Sequence, residues 1–180
     1  MVPLLSLTVL LKICEHLGQD LALVETDAQP LARLAATAGF DVTVVDHRPA
    51  YLTAARFPPP AQLVLRRPEA GVEGIAGQNL GRNHYAVVQT HALQHDRAWV
   101  RSLAQKPLGY LGMLGPRTRR EMVLKGTRID DGAVYAPVGL DLGADGPEQV
   151  AVSIVAELLA VHARREPGHL RARKGGIHDP

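Results

Sequence analysis

The run Val150–Val161, VAVSIVAELLAV, is apolar almost throughout, and a helix of that composition has to be covered on most of its circumference. Gln149, Ser153 and Glu157 form its one narrow polar stripe, at four-residue spacing. The cover comes from the chain's own sheet, and a second copy of the chain is the open alternative. Upstream, Tyr135–Gly146 reads as a short strand followed by an acidic loop, in which Gly139, Gly143 and Gly146 allow turns that side chains would hinder. Pro147 suits the first helical position, and Glu148 sets negative charge beside the positive end of the helix dipole. Asp145 is placed to cap this helix.

Ahead of that segment, short apolar runs alternate with helical patterns. Leu21–Val24 is the expected first strand. Asp27 then caps a helix over Ala28–Ala38, with Leu31, Leu34, Ala35 and Ala38 on one face and Gly39 ending it. Val42–Asp46, Leu63–Leu65, Tyr85–Thr90, Leu108–Leu114 and Val134–Ala136 are further strands. Helices are expected over about Arg97–Gln105 and Arg117–Lys125, while residues 68–82 read as loop. About six short strands alternating with helices imply an α/β fold of three layers, α/β/α, around a mostly parallel sheet. In the dinucleotide-fold strand order, ligands bind beyond the carboxyl ends of strands one and four. That order gathers Glu25–Asp27, Asp46, Thr90–Asp96 and Gly115–Arg117 around one crevice.

A chain of 180 residues is long enough for one well-buried core, and its net charge of +2 makes no case for nucleic acid. Cys14 is the only cysteine, which rules out an internal disulfide and favours a cytoplasmic location. The apolar start Met1–Ile13 lacks a basic leader region and a cleavage site, and it is too short to cross a membrane. It reads as a helix that is buried or faces another copy of the chain. The division is thus an N-terminal helix or extension over 1–20, the α/β domain over 21–165, and a flexible basic tail over 166–180.

Several residues offer chemistry. Asp46, at a strand end, can accept from a ribose diol, or can serve as a turn residue. Arg48 could meet a ribose phosphate that Asp46 would repel, which makes NAD the better nucleotide guess. The first loop opposes it: Val24–Asp27 has no glycine and sets Glu25 and Asp27 where a pyrophosphate would lie. His91 follows the fourth strand and is the best acid/base candidate. His91 and His95 have metal-ligand spacing, but His91 ends a strand, so no metal site is assigned. Arg117, Arg119 and Arg120 open a helix against its dipole, at about 0.3–1 kcal/mol each when exposed. They form either a solvated surface or, through Arg117 and the free helix amides, an anion site.

Four blocks carry a family resemblance: Asp27–Pro58, Val87–Asp96 (VVQTHALQHD), Tyr110–Leu124 (YLGMLGPRTRREMVL) and Ala136–Val161 (APVGLDLGADGPEQVAVSIVAELLAV). In these blocks the chain resembles the Rossmann domain of the xanthine dehydrogenase accessory factors, the XdhC/CoxI family. The resemblance implies a maturation factor that binds molybdenum cofactor and helps install it in a molybdenum hydroxylase such as xanthine dehydrogenase, without turnover; a homodimer is expected from the apolar final helix. It assigns cofactor contacts to Asp27, Asp46, His91, Asp96, Gly115, Arg117, Gly139, Asp141 and Gly143. The family's Gly-Ala-Gly loop is replaced here by Glu25-Thr26, and about 20 unmatched residues precede the expected first strand where many members carry a separate N-terminal domain. An NAD-linked oxidoreductase using Asp46 and His91 is one alternative. A ligand-free scaffold is the other.

Overall fold

The computed structural model describes residues 5–12, 28–73, 75, 80–174 and 176. Among the described residues five parallel strands form one sheet in the order β3-β2-β1-β4-β5. They are β1 Leu5–Lys12, β2 Phe40–Asp46, β3 Gln62–Leu65, β4 His84–Thr90 and β5 Tyr110–Met113. The helices are α1 Ala28–Thr37, α2 Leu93–Leu103, α3 Arg117–Leu124 and α4 Pro147–His162. This is the doubly wound order expected for a dinucleotide-type fold, and the class is α/β with helices on both faces.

The centre of the sheet corrects the sequence reading. Leu5–Lys12, expected as part of a helix, is the central strand, and it pairs with β2 from Leu5↔Phe40 to Leu10↔Val45 and with β4 from Ser6↔His84 to Lys12↔Thr90. A strand shared by both halves of a parallel sheet must be long enough to pair on both edges, as the eight residues of LSLTVLLK are and a four-residue run is not. The first strand expected at Leu21–Val24 lies outside the described residues. The sixth strand at Val134–Ala136 shrinks to a single bridge between Tyr135 and Gly112, because the chain winds into a 3-10 turn at Asp131–Ala133 just before it. The basic tail includes a 3-10 turn at Leu170–Ala172.

Strand alternation divides the core in two. β4 sends Tyr85 and Val87 toward α1 and α4, where they meet Leu31, Phe40, Ile154 and Leu158. Its Ala86 and Val88 face α2 and α3, against Trp99, Leu103, Met113 and Val123. The apolar α4 buries Ala151, Ile154, Val155 and Leu158, yet leaves Val152 and Leu159 exposed. Gly39 closes α1 with φ +92°, as its position predicts. α4 differs: Gly146, with φ +80°, occupies the N-cap, and Asp145 instead donates its backbone N–H to Gln149. No described helix is long and apolar enough to cross a membrane.

Candidate functional site

Beyond the carboxyl end of β5 the chain turns sharply at Gly115 and enters α3. Gly115 has φ +134°, and a Cβ there would fall 2.6 Å from the Cδ of Arg119, so only glycine fits. Arg117 opens the helix with its guanidinium exposed and without a hydrogen bond or ion pair among the described residues. Across from this turn lies the loop Pro137–Ala144. Together they line a groove of about 630 Å³ that holds Gly115, Arg117, Gly139, Asp141 and Gly143. Five of the sequence candidates thus share one surface.

The loop is fixed from behind by α4. Gly139 donates its N–H to Glu157 at 2.9 Å, Leu140 donates to the Ser153 carbonyl at 3.3 Å, and Asp145 donates to Gln149 at 2.9 Å. The Ser153 hydroxyl donates in turn to the Leu140 carbonyl. Gly139 has φ +102°, and a Cβ would sit 2.5 Å from the Ser153 Oγ, so the loop can lie this close to the helix only as glycine. The polar stripe of α4 therefore serves to receive backbone groups, a role the sequence reading did not assign. Its signal was the four-residue spacing beside a glycine-rich loop. Glu157 also accepts from the Tyr110 hydroxyl. Burial, with Glu157 next, pushes the Tyr110 phenol well above its ordinary range.

Asp96 occupies a different place from the one expected. α2 begins at Leu93, four residues before the predicted start, and this draws Asp96 into its first turn, where it is fully buried. Its carboxylate takes the Thr90 hydroxyl and the Arg119 guanidinium, with Nε at 2.6 Å, while Arg119 also donates to the Thr90 carbonyl at 3.0 Å. Burial pushes the Asp96 carboxyl up, and Thr90 and Arg119 act against it. Asp96 is therefore an interior tie between β4, α2 and α3. The three arginines of α3 divide accordingly: Arg119 is tied to Asp96, Arg120 pairs with Asp131 at 2.8 Å, and Arg117 alone faces the groove.

The first half of the sheet is arranged otherwise. Asp46 is buried at the end of β2, and Arg48 takes its two oxygens through its backbone N–H at 2.9 Å, Nε at 3.1 Å and Nη2 at 2.9 Å. The Arg48 guanidinium lies 3.9 Å over the Tyr51 ring, with that of Arg56 at 4.8 Å. The carboxylate is thus engaged by its neighbour rather than presented as an acceptor. His95 stacks edge-on with His47 at 5.7 Å and points Nε2 toward Glu69 at 3.8 Å. His91 is exposed past β4 and does not line the groove. Among the described residues no three His, Cys, Asp or Glu side chains are grouped to hold a metal. Asp27 and the Glu25-Thr26 loop lie outside the described residues. Fifteen residues separate β1 from α1.

The XdhC Rossmann domain family matches residues 22–158, a stretch that runs from before α1 to Leu158, late in α4, and takes in the whole groove. The chain belongs to this family. A Bacillus subtilis (strain 168) protein described as a probable xanthine dehydrogenase subunit is 41% identical over 138 residues, covering 77% of this chain and 41% of that protein. An uncharacterized protein YqeB of Escherichia coli (strain K12) is 29% identical over 146 residues, covering 78% of the chain and 26% of that protein. A xanthine dehydrogenase structure from Bacillus halodurans superposes with a TM-score of 0.74 at 27% identity, over 91% of the chain and 44% of that one. The chain thus spans less than half the length of these relatives. β1 lies outside the family match, which begins after it.

Proposed function

We propose that this XdhC-family domain is an accessory factor for a molybdenum hydroxylase of the xanthine dehydrogenase type, and that it holds molybdenum cofactor as cargo in the groove between α3 and the Gly139 loop. One observation carries the reading: the groove sets an unengaged arginine and the first turn of α3 opposite a glycine loop pinned at its back. These donors suit the phosphate of the cargo. Arg117 supplies charge, and the first amides of α3 supply directed N–H groups at the positive end of the helix dipole. Asp141, exposed on the opposite wall, suits the N–H donors of a pterin ring. The chain's residues bind and orient; none is assigned a proton to move.

Names among the relatives support the partner: one is called a probable subunit of xanthine dehydrogenase, another a xanthine dehydrogenase. A cytoplasmic homodimer, joined through the exposed Val152 and Leu159 face of α4, belongs to the same proposal. The test is direct. After mixing with molybdenum cofactor and desalting, the protein retains cofactor, and it raises the activity of an apo-hydroxylase when the two are combined. No retained cofactor and no activation would remove the reading. Calorimetry with NAD and NADH decides the oxidoreductase alternative, and the state of Asp46 predicts no heat of binding.

A further inference from the structure

A cavity larger than the candidate groove lies elsewhere. It encloses about 740 Å³ at the amino end of β5, between the last turn of α2 and the loop Gly126–Tyr135. Gly115 and the candidate groove follow the other end of the same strand. A volume of this order is that of a small-molecule site.

Its walls have a definite chemistry. Leu108, Leu111 and Ile129 make it apolar, and Tyr135 adds an aromatic surface. That ring is held in place by stacking on buried Tyr110, with centroids 4.5 Å apart and planes 26° from parallel. At the rim stand Arg101 and Arg128, both exposed and both without a hydrogen bond or ion pair among the described residues. Lys106, on the same rim, is already engaged by Glu73 at 2.6 Å. Two unengaged guanidiniums beside an aromatic-walled apolar cavity ask for two things at once. A bare inorganic anion would leave the apolar wall unused, and a neutral hydrocarbon would leave the guanidiniums unused. A flat aromatic ring bearing a carboxylate uses both, because guanidinium and carboxylate pair in a plane and the ring meets Tyr135.

We infer that this cavity is a second ligand site, for a flat aromatic carboxylate held by Arg101 and Arg128. It stands apart from the cofactor reading, and either can fail without the other. Calorimetric titration of the 180-residue chain with 2-naphthoate tests it. Saturable binding is expected, weakened about tenfold or more in the Arg101→Gln, Arg128→Gln double variant, whose thermal midpoint stays that of the parent because both side chains are exposed. The uncharged 2-naphthylmethanol should bind about tenfold more weakly than the acid. Arg33→Gln, on α1 at the other face of the sheet, should leave the titration unchanged. Absence of saturation up to about 10 mM, equal binding of the alcohol, or full affinity in the double variant would each overturn the assignment.

Discussion

At the end of β2, buried Asp46 is occupied by Arg48, two residues along the same chain. Beyond β5, by contrast, a loop leaves the sheet after Val138, which donates its N–H to the Met113 carbonyl, and is tied by its backbone to Gln149, Ser153 and Glu157 on α4. In the first case the charged groups satisfy one another locally. In the second, the polar groups of the helix satisfy the loop's backbone from behind and leave its front, with Arg117 opposite, open to a ligand. The open groove thus lies in the half of the sheet whose polar groups are spent on positioning a loop.

Both halves depend on β1, so the strongest way to break the comparison is at their seam. Val9→Pro removes an N–H from the strand paired to both β2 and β4 and should abolish cooperative unfolding in urea, followed by circular dichroism. An unchanged transition would mean that the halves do not meet on this strand. Within the second half, Arg119→Leu strands the Asp96 carboxyl in the interior and should cost about 3–5 kcal/mol by denaturant titration. Adding Asp96→Asn should recover part of that loss.

Smaller effects sharpen the contrast. Glu157→Ala leaves the Gly139 N–H and the Tyr110 hydroxyl without their acceptor, costing about 1–3 kcal/mol and lowering cofactor retention; Glu157→Gln should restore some of each. The buried Tyr110 phenol gives alkaline sensitivity. Its folded-state pKa is raised, so above about pH 10 the unfolded chain releases a proton that the folded chain retains, and stability falls by up to about 1.4 kcal/mol per pH unit. Urea titrations of Tyr110→Phe should show a flatter decline. Arg117→Gln should move stability by no more than about 0.5 kcal/mol and yet lose the cofactor, since its side chain is exposed and makes no hydrogen bond or ion pair among the described residues. Retention by this variant would shift the site away from the groove.

The second half was the more legible because its signals are local. Gly115, Gly139 and Pro147 each mark a backbone requirement within a few residues, and the structure places a turn, a close approach and a helix start at those positions. β1 was not legible in the same way. What makes Leu5–Lys12 a strand is pairing with residues more than thirty positions away on one side and seventy on the other, and a run of leucines carries no local mark that separates strand from helix. Asp96 was misplaced for a related reason. Its acid group adjoins a strand end in sequence, and only the early start of α2 turns it inward to Arg119. Arg119 itself could not be told from Arg117 and Arg120, since helix phase decides which of three neighbouring arginines faces the interior.

Gly112 has a bearing on how this protein can be altered. A Cβ at that position would lie 2.6 Å from the Tyr110 ring and 2.7 Å from Val138, so the missing side chain is what lets the phenol lie across the strand. There its ring backs the aromatic wall of one cavity while its hydroxyl shares Glu157 with the loop of the other. A single side chain is thus a partition between the two cavities. Substitutions at 110 or 112 are bound to be pleiotropic, and engineering that aims to retune one ligand without the other has to begin from the outer rims, at Arg117 or at Arg128.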